Sequence, residues 1–165
     1  MFTGQAQLAA RTAGHLRETA RAAFTAFLDA LQAELGIGPE RIVLGGFSQG
    51  AILCLDYLLH DDRPWPGLLF LSGTLVDVDE LRERATRRPG MHALISHGKL
   101  DPILPFALAQ QLHDELSRVA WDTHFVPYEG SHGIPPEVLR AIRTLAPKWL
   151  GSSTPPSLRA NIGST

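Results

Sequence analysis

Cysteine is almost absent from this chain of 165 residues: Cys54 stands alone. No intramolecular disulfide can form, so packing must hold the fold, and a reducing compartment, the cytoplasm, is expected. An excess of one charge is lacking as well. Fifteen Lys and Arg stand against seventeen Asp and Glu, a formal net charge of −2. That balance gives no electrostatic reason to expect a nucleic-acid or anionic-membrane partner. The basic residues are nearly all Arg and are scattered rather than clustered. No apolar run reaches the ~18 residues that a membrane span needs, and the first residues lack the continuous apolar segment of a secretory signal. The histidines at 15, 60, 92, 113 and 124 show no paired metal-ligand spacing and no Cys partners. Gly45-Gly46 with Gly50 is followed by no Lys-Ser or Lys-Thr, which excludes a phosphate loop. Neither a metal nor an organic cofactor is expected.

Apolar content is what the chain does have. At 44% hydrophobic and 19% charged it reads as globular rather than disordered. Residues 6–35 carry one long helical pattern, with Leu8, Thr12, Leu16, Ala20, Phe24, Phe27, Leu31 and Leu35 on one face. Gly36-Ile37-Gly38-Pro39 stops it. Unbroken apolar runs then predict strands at about 41–46, 68–72, 93–96 and 123–128, the first of them buried on both faces. Helices are expected from the first strand to His60, over 80–88 on the surface, over 105–119 and from Pro135 or Pro136 to Leu150. Strands alternating with helices argue for an α/β fold, a parallel sheet of about four strands covered on both faces. Residues 1–150 form the domain, and 151–165, rich in Ser, Thr, Pro and Gly, read as a disordered tail.

Gly46-Phe47-Ser48-Gln49-Gly50 sits between the first strand and the helix after it. A Gly-x-Ser-x-Gly turn in that setting is a nucleophile elbow, so tight that bulky residues are excluded at 46 and 50 and Ser48 is exposed at its tip. A serine hydroxyl needs a base to take its proton, and the base needs an orienting carboxylate. The third strand runs into Ser96-His97-Gly98-Lys99-Leu100-Asp101-Pro102, and the fourth into Tyr128-Glu129-Gly130-Ser131-His132-Gly133-Ile134. Asp101 and His132 therefore follow successive strands on the sheet edge that carries Ser48, where open parallel sheets place their sites. Asp77, after the second strand, is the rival acid. His97 is expected to hold the loop that presents Asp101.

Four segments carry a resemblance to a known family: RIVLGGFSQG at 41–50, Leu71-Ser72-Gly73, His97-Gly98-Lys99-Leu100-Asp101-Pro102, and Gly130-Ser131-His132-Gly133-Ile134. In order and spacing, residues 36–150 resemble the carboxylesterase, lysophospholipase and acyl-protein thioesterase family of α/β-hydrolases. The resemblance implies Ser48 as nucleophile, Asp101 as orienting acid and His132 as general base, with the N–H of Gln49 as half of the oxyanion hole. It implies a serine hydrolase that cleaves carboxylic esters or thioesters through an acyl-enzyme. Leu75, Val76, Ile103, Leu104 and Ile134 flank these loops and are expected to form an apolar acyl site.

One departure stands beside the match. The family carries about four strands before the elbow, with a His-Gly-rich loop that supplies the second oxyanion N–H; here one long helix precedes residue 41 and no such loop occurs in 1–40. The resemblance therefore implies the C-terminal part of the fold, in a shortened form of an ordinary esterase or a naturally short variant. The alternative function is a catalytically weakened or inactive domain that binds a partner or assembles. The first strand is expected to have one unpaired side, and the chain to self-associate through that edge, as a homodimer or as aggregate.

Overall fold

The computed structural model describes residues 3–151, with side chains from Gly14 onward. Along the chain run α1 (Thr3–Leu35), a 3-10 turn (Pro39–Arg41), β1 (Leu44–Phe47), α2 (Gln49–His60), β2 (Gly67–Leu71) and α3 (Val78–Ala85). β3 (His92–Gly98), α4 (Phe106–Arg118), β4 (Asp122–Tyr128) and α5 (Pro136–Trp149) complete it. The expected tail, apart from Gly151, lies outside the described residues. All strand pairs are parallel and the strand order follows the chain, β1-β2-β3-β4.

Side-chain alternation along the strands divides the core in two. Leu68, Phe70, Ala93 and Ile95 pack with residues of α1 to α4, among them Leu28, Leu55, Leu81 and Leu112. Leu69, Leu71, Leu94, Val126 and Tyr128 pack the other way, against Val138, Ile142, Leu145 and Trp149 of α5. Both faces of the sheet are thus covered, as its near-continuous apolar strands require. Because all strands are parallel, the loops after their C-terminal ends meet along one edge.

The first strand is shorter than expected and differently placed. Ile42 N–H donates to Pro39 O at 3.0 Å, closing the 3-10 turn, so pairing begins only at Leu44. Among the described residues β1 pairs with β2 alone. Leu44 is buried, but Gly45 and Phe47 are exposed. The run Ile42-Val43-Leu44 therefore does not mark a strand buried on both faces.

α1 docks on a different face from the one that apolar spacing selects. Leu28 is 2% exposed, whereas Leu16, Phe27 and Leu35 are 62%, 58% and 56% exposed. The docking face runs Arg17, Arg21, Phe24, Leu28, one helical stripe that mixes charge with apolar surface. Arg17 and Arg21 both bind the buried carboxylate of Asp56 on α2, and Arg17 also donates to Glu80 of α3 at 2.7 Å. Below them Phe24 meets the ring of Tyr57 edge-on, centroids 5.0 Å apart. At the C-terminus Gly36 takes φ 63° and Ile37 N–H returns to Gln32 O at 3.2 Å, the Schellman closure that glycine permits. Cys54 lies in the core of α2, where burial pushes its thiol up to about 11 against a weak opposing bond with the Gly45 backbone.

Candidate active site

β1 hands over to α2 at Ser48, whose φ of 54° and ψ of −118° lie where few non-glycine residues are found. The surrounding structure fixes this strained turn: Ser48 N–H donates to Leu71 O at 2.8 Å, and Ser48 O accepts from Ala51 N–H at 3.1 Å. Ser48 occupies the N-cap position of α2, yet its hydroxyl makes no capping bond. One of the two flanking glycines is strictly required. A Cβ on Gly46 would sit 2.2–2.5 Å from the backbone of Gly50 and Ala51, whereas the space beside Gly50 is open. Gly50 is thus the floor that excludes a side chain at 46, not a second position that must itself be small.

Asp101 follows β3 and its side chain is fully buried. One carboxylate oxygen, Oδ1, accepts from the N–H groups of Ile103 at 2.8 Å and Leu104 at 2.9 Å. The other, Oδ2, lies 2.7 Å from Nδ1 of His132, which follows β4. Burial pushes the Asp101 carboxyl up, but the Leu104 N–H, the His132 imidazole and the Ile103 N–H together outweigh it and hold the group below the usual carboxylate range. His132 is largely covered, with its ring 4.7 Å from that of Phe47, the neighbour of Ser48. His97 also lies where the sequence suggested. Its ring is fully buried, with Nε2 2.9 Å from Leu104 O and 3.2 Å from Asp101 Oδ2, so it ties the two ends of the Asp101 loop together. Asp77 is engaged elsewhere: it caps α3, accepting from Asp79 and Glu80 N–H at 3.1 and 2.9 Å.

A cleft of about 270 Å³ opens beside the elbow, between α1, α2 and the loop after β2. Leu16, Ala20, Ile52, Leu53, Leu75 and Val76 supply apolar walls, and Gln49, next to Ser48, borders it. Of the residues expected at an apolar acyl site, Leu75 and Val76 line this cleft; Ile103, Leu104 and Ile134 do not. Ile103 is 65% exposed, because its N–H is drawn toward Asp101 while its side chain is left at the surface. The wall from α1 and α2 was not foreseen, since Leu16 and Ile52 read as ordinary helix positions. Among the described residues no group of three or more His, Cys, Asp and Glu is placed to hold a metal ion, and no helix is long and apolar enough to cross a membrane.

The chain is similar to known proteins both in sequence and in fold. Acyl-protein thioesterase 1 of Saccharomyces cerevisiae is 32% identical over 127 residues, covering 71% of this chain and 53% of the relative. The Gibberella zeae acyl-protein thioesterase 1 is 32% identical over 133 residues, covering 75% and 55%. The chain therefore spans about half the length of the curated relatives it matches. Among solved structures, esterase PE8 superposes with a TM-score of 0.73 at 28% identity, covering 80% of this chain and 61% of the other. Arabidopsis thaliana SOBER1 gives 0.67 at 26% identity, covering 81% and 62%. Residues 8–150, nearly all of the described fold, match the phospholipase/carboxylesterase family, and the chain belongs to that family of α/β-hydrolases.

Proposed function

We propose that this chain hydrolyses carboxylic esters or thioesters through Ser48, His132 and Asp101. The observation that supports this most is the 2.7 Å bond from His132 to Asp101 on the same sheet edge as a strained Ser48. With Nδ1–H donated to Asp101, a neutral His132 has Nε2 as its acceptor. Nε2 takes the Ser48 hydroxyl proton as Oγ bonds to the acyl carbon, and the carbonyl oxygen gathers the negative charge. The N–H of Gln49, at the positive end of α2, is one donor to that oxyanion. Collapse breaks the bond to the alcohol or thiol, which leaves with the proton from His132. Water then gives a proton to His132 and attacks the acyl-Ser48; the acid departs and His132 returns the proton to Ser48. The acyl chain lies in the cleft bordered by Gln49 and Leu75. A cytoplasmic location belongs to the same proposal and suits a single buried thiol.

A second reading, a weakened or inactive domain that binds or assembles, is supported by the edge of β1 that pairs with no second strand among the described residues. Loss of one oxyanion donor lowers rates by roughly 10²–10³, so weakened catalysis and none must be told apart. A fluorophosphonate probe does so: it labels the wild-type chain and spares Ser48→Ala. Well-folded wild-type protein that takes no label overturns the hydrolase reading and leaves the second.

A further inference from the structure

We propose that the hydroxyl of Tyr128, assisted by that of Ser72, is the positioning device for His132; this rests on the assignment of His132 as the base. The segment that carries the imidazole, Gly130-Ser131-His132-Gly133, has a glycine at each end and belongs to no regular element. Such a segment has much backbone freedom to lose, and a base must be held to within a fraction of an ångström of its working position. What holds it is one buried oxygen. Tyr128 Oη lies 2.6 Å from Gly133 O and 3.0 Å from Ser131 O, and it accepts from Gly133 N–H at 3.2 Å. The residues on both sides of His132 are therefore tied to a single phenol, donor and acceptor at once.

Ser72, at the C-terminal end of β2, completes the knot. Its hydroxyl lies 3.1 Å from Gly133 O and 3.2 Å from Tyr128 Oη, so Gly133 O faces two hydroxyls. Ser72 has φ 49°, a left-handed backbone that a non-glycine residue adopts at a cost, while its N–H is bonded to Ser96 O at 2.8 Å. Both side chains are cut off from solvent, with Ser72 at 0% and Tyr128 at 5% exposure. No bulk water can take the place of a lost hydroxyl there, so the loop would lose one of the ties that fix it. The loop is also pressed onto β3. Leu100 N–H donates to Gly130 O at 2.9 Å, and a Cβ on Gly98 would come within 2.3 Å of Ser131 O. Asp101 and His132 thus rest on one common frame, which Tyr128 and Ser72 help to close.

The test compares the full chain with Tyr128→Phe, Ser72→Ala and the double variant. Two quantities are read: the downfield proton NMR resonance of His132 Nδ1–H, and the pH-dependent rate of fluorophosphonate labelling. The proposal predicts folded variants in which that resonance broadens through exchange with water. The saturating labelling rate of Tyr128→Phe falls roughly ten- to a hundredfold, with the half-saturating probe concentration unchanged. The double variant is slower than Tyr128→Phe, because the Ser72 hydroxyl is the donor which that single change leaves on Gly133 O. A sharp wild-type resonance and a wild-type rate in Tyr128→Phe overturn the proposal. If Tyr128→Phe does not fold, Ser72→Ala decides on the same readouts. If the wild type itself takes no label, the hydrolase reading fails, and the resonance alone still decides whether these hydroxyls hold the imidazole.

Discussion

Nδ1 of His132 lies 2.7 Å from Oδ2 of Asp101, and that same oxygen lies 3.2 Å from Nε2 of His97. A carboxylate can only accept, so His132 carries a proton on Nδ1 and presents Nε2 outward. His97 donates from Nε2 to Leu104 O and toward Asp101, which fixes the carboxylate that fixes the base. Replacing Asp101 by Asn places an N–H₂ group where only an acceptor works, and the imidazole turns to the wrong tautomer. Asp101→Asn should cut turnover by roughly 10⁴ and leave the folded chain recognisable by circular dichroism. Asp77→Asn should change neither, because Asn caps a helix about as well as Asp. Ester-hydrolysis rates of the two variants, measured side by side, check this; a reversed ranking makes Asp77 the acid.

The pH dependence has two parts, activity and stability, and both are lost as pH falls. In the proposed mechanism His132 acts in its neutral form, so kcat/KM should rise with pH and then level. Asp101 is held below the usual carboxylate range and stays charged throughout that rise, so it adds no second limb. Its contribution to stability is fully present above the unfolded carboxyl's pKa of about 4. It is lost as pH falls through the lower folded value. Urea unfolding at stepped pH should show the wild type losing stability in acid faster than Asp101→Asn. Equal acid slopes would mean that the buried carboxylate is not stabilised by its three donors.

Packing of α1 gives a sharper contrast than its sequence suggests. Leu28 is in the core and Phe27 is at the surface. Leu28→Ala should cost about 2–5 kcal/mol, and Phe27→Ala no more than about 0.5 kcal/mol. Thermal or urea unfolding of both variants measures it.

That pair also shows what a sequence can and cannot reveal. Strands were legible at Leu68–Leu71 and Leu94–Ile95 because burial on two faces leaves nothing but apolar residues. The loops of Ser48, Asp101 and His132 were legible because Gly, Pro and His punctuate the strand ends. The docking face of α1 was not, because Asp56 draws in Arg17 and Arg21, and charged residues on a buried stripe are invisible to apolar periodicity. The late start of β1 was hidden by a 3-10 turn whose residues look like the lead-in to a strand. Tyr128 gave no signal, since a Tyr ending a strand is ordinary; Ser72 stood in a segment of the family resemblance but without a role, and its positive φ has no trace in composition.

The free side of β1 leads to a prediction about assembly. Leu44–Phe47 pairs with β2 alone among the described residues, and Leu16, Phe27 and Leu35 expose apolar surface on α1. An unpaired strand edge is a template for pairing. The isolated chain should self-associate, as a dimer joined edge to edge or as larger species. Size-exclusion chromatography with light scattering checks it, and a stable monomer at tens of micromolar contradicts it.

The central claim is that Ser48 becomes acylated with His132 as its base. Intact-mass spectrometry after acid quench of the chain mixed with an activated ester tests it most directly. The account predicts an adduct of the acyl mass, mapped to the peptide that contains Ser48, absent from Ser48→Ala and slow to form in Asp101→Asn. No adduct on folded wild-type protein, or one that survives Ser48→Ala, would contradict it.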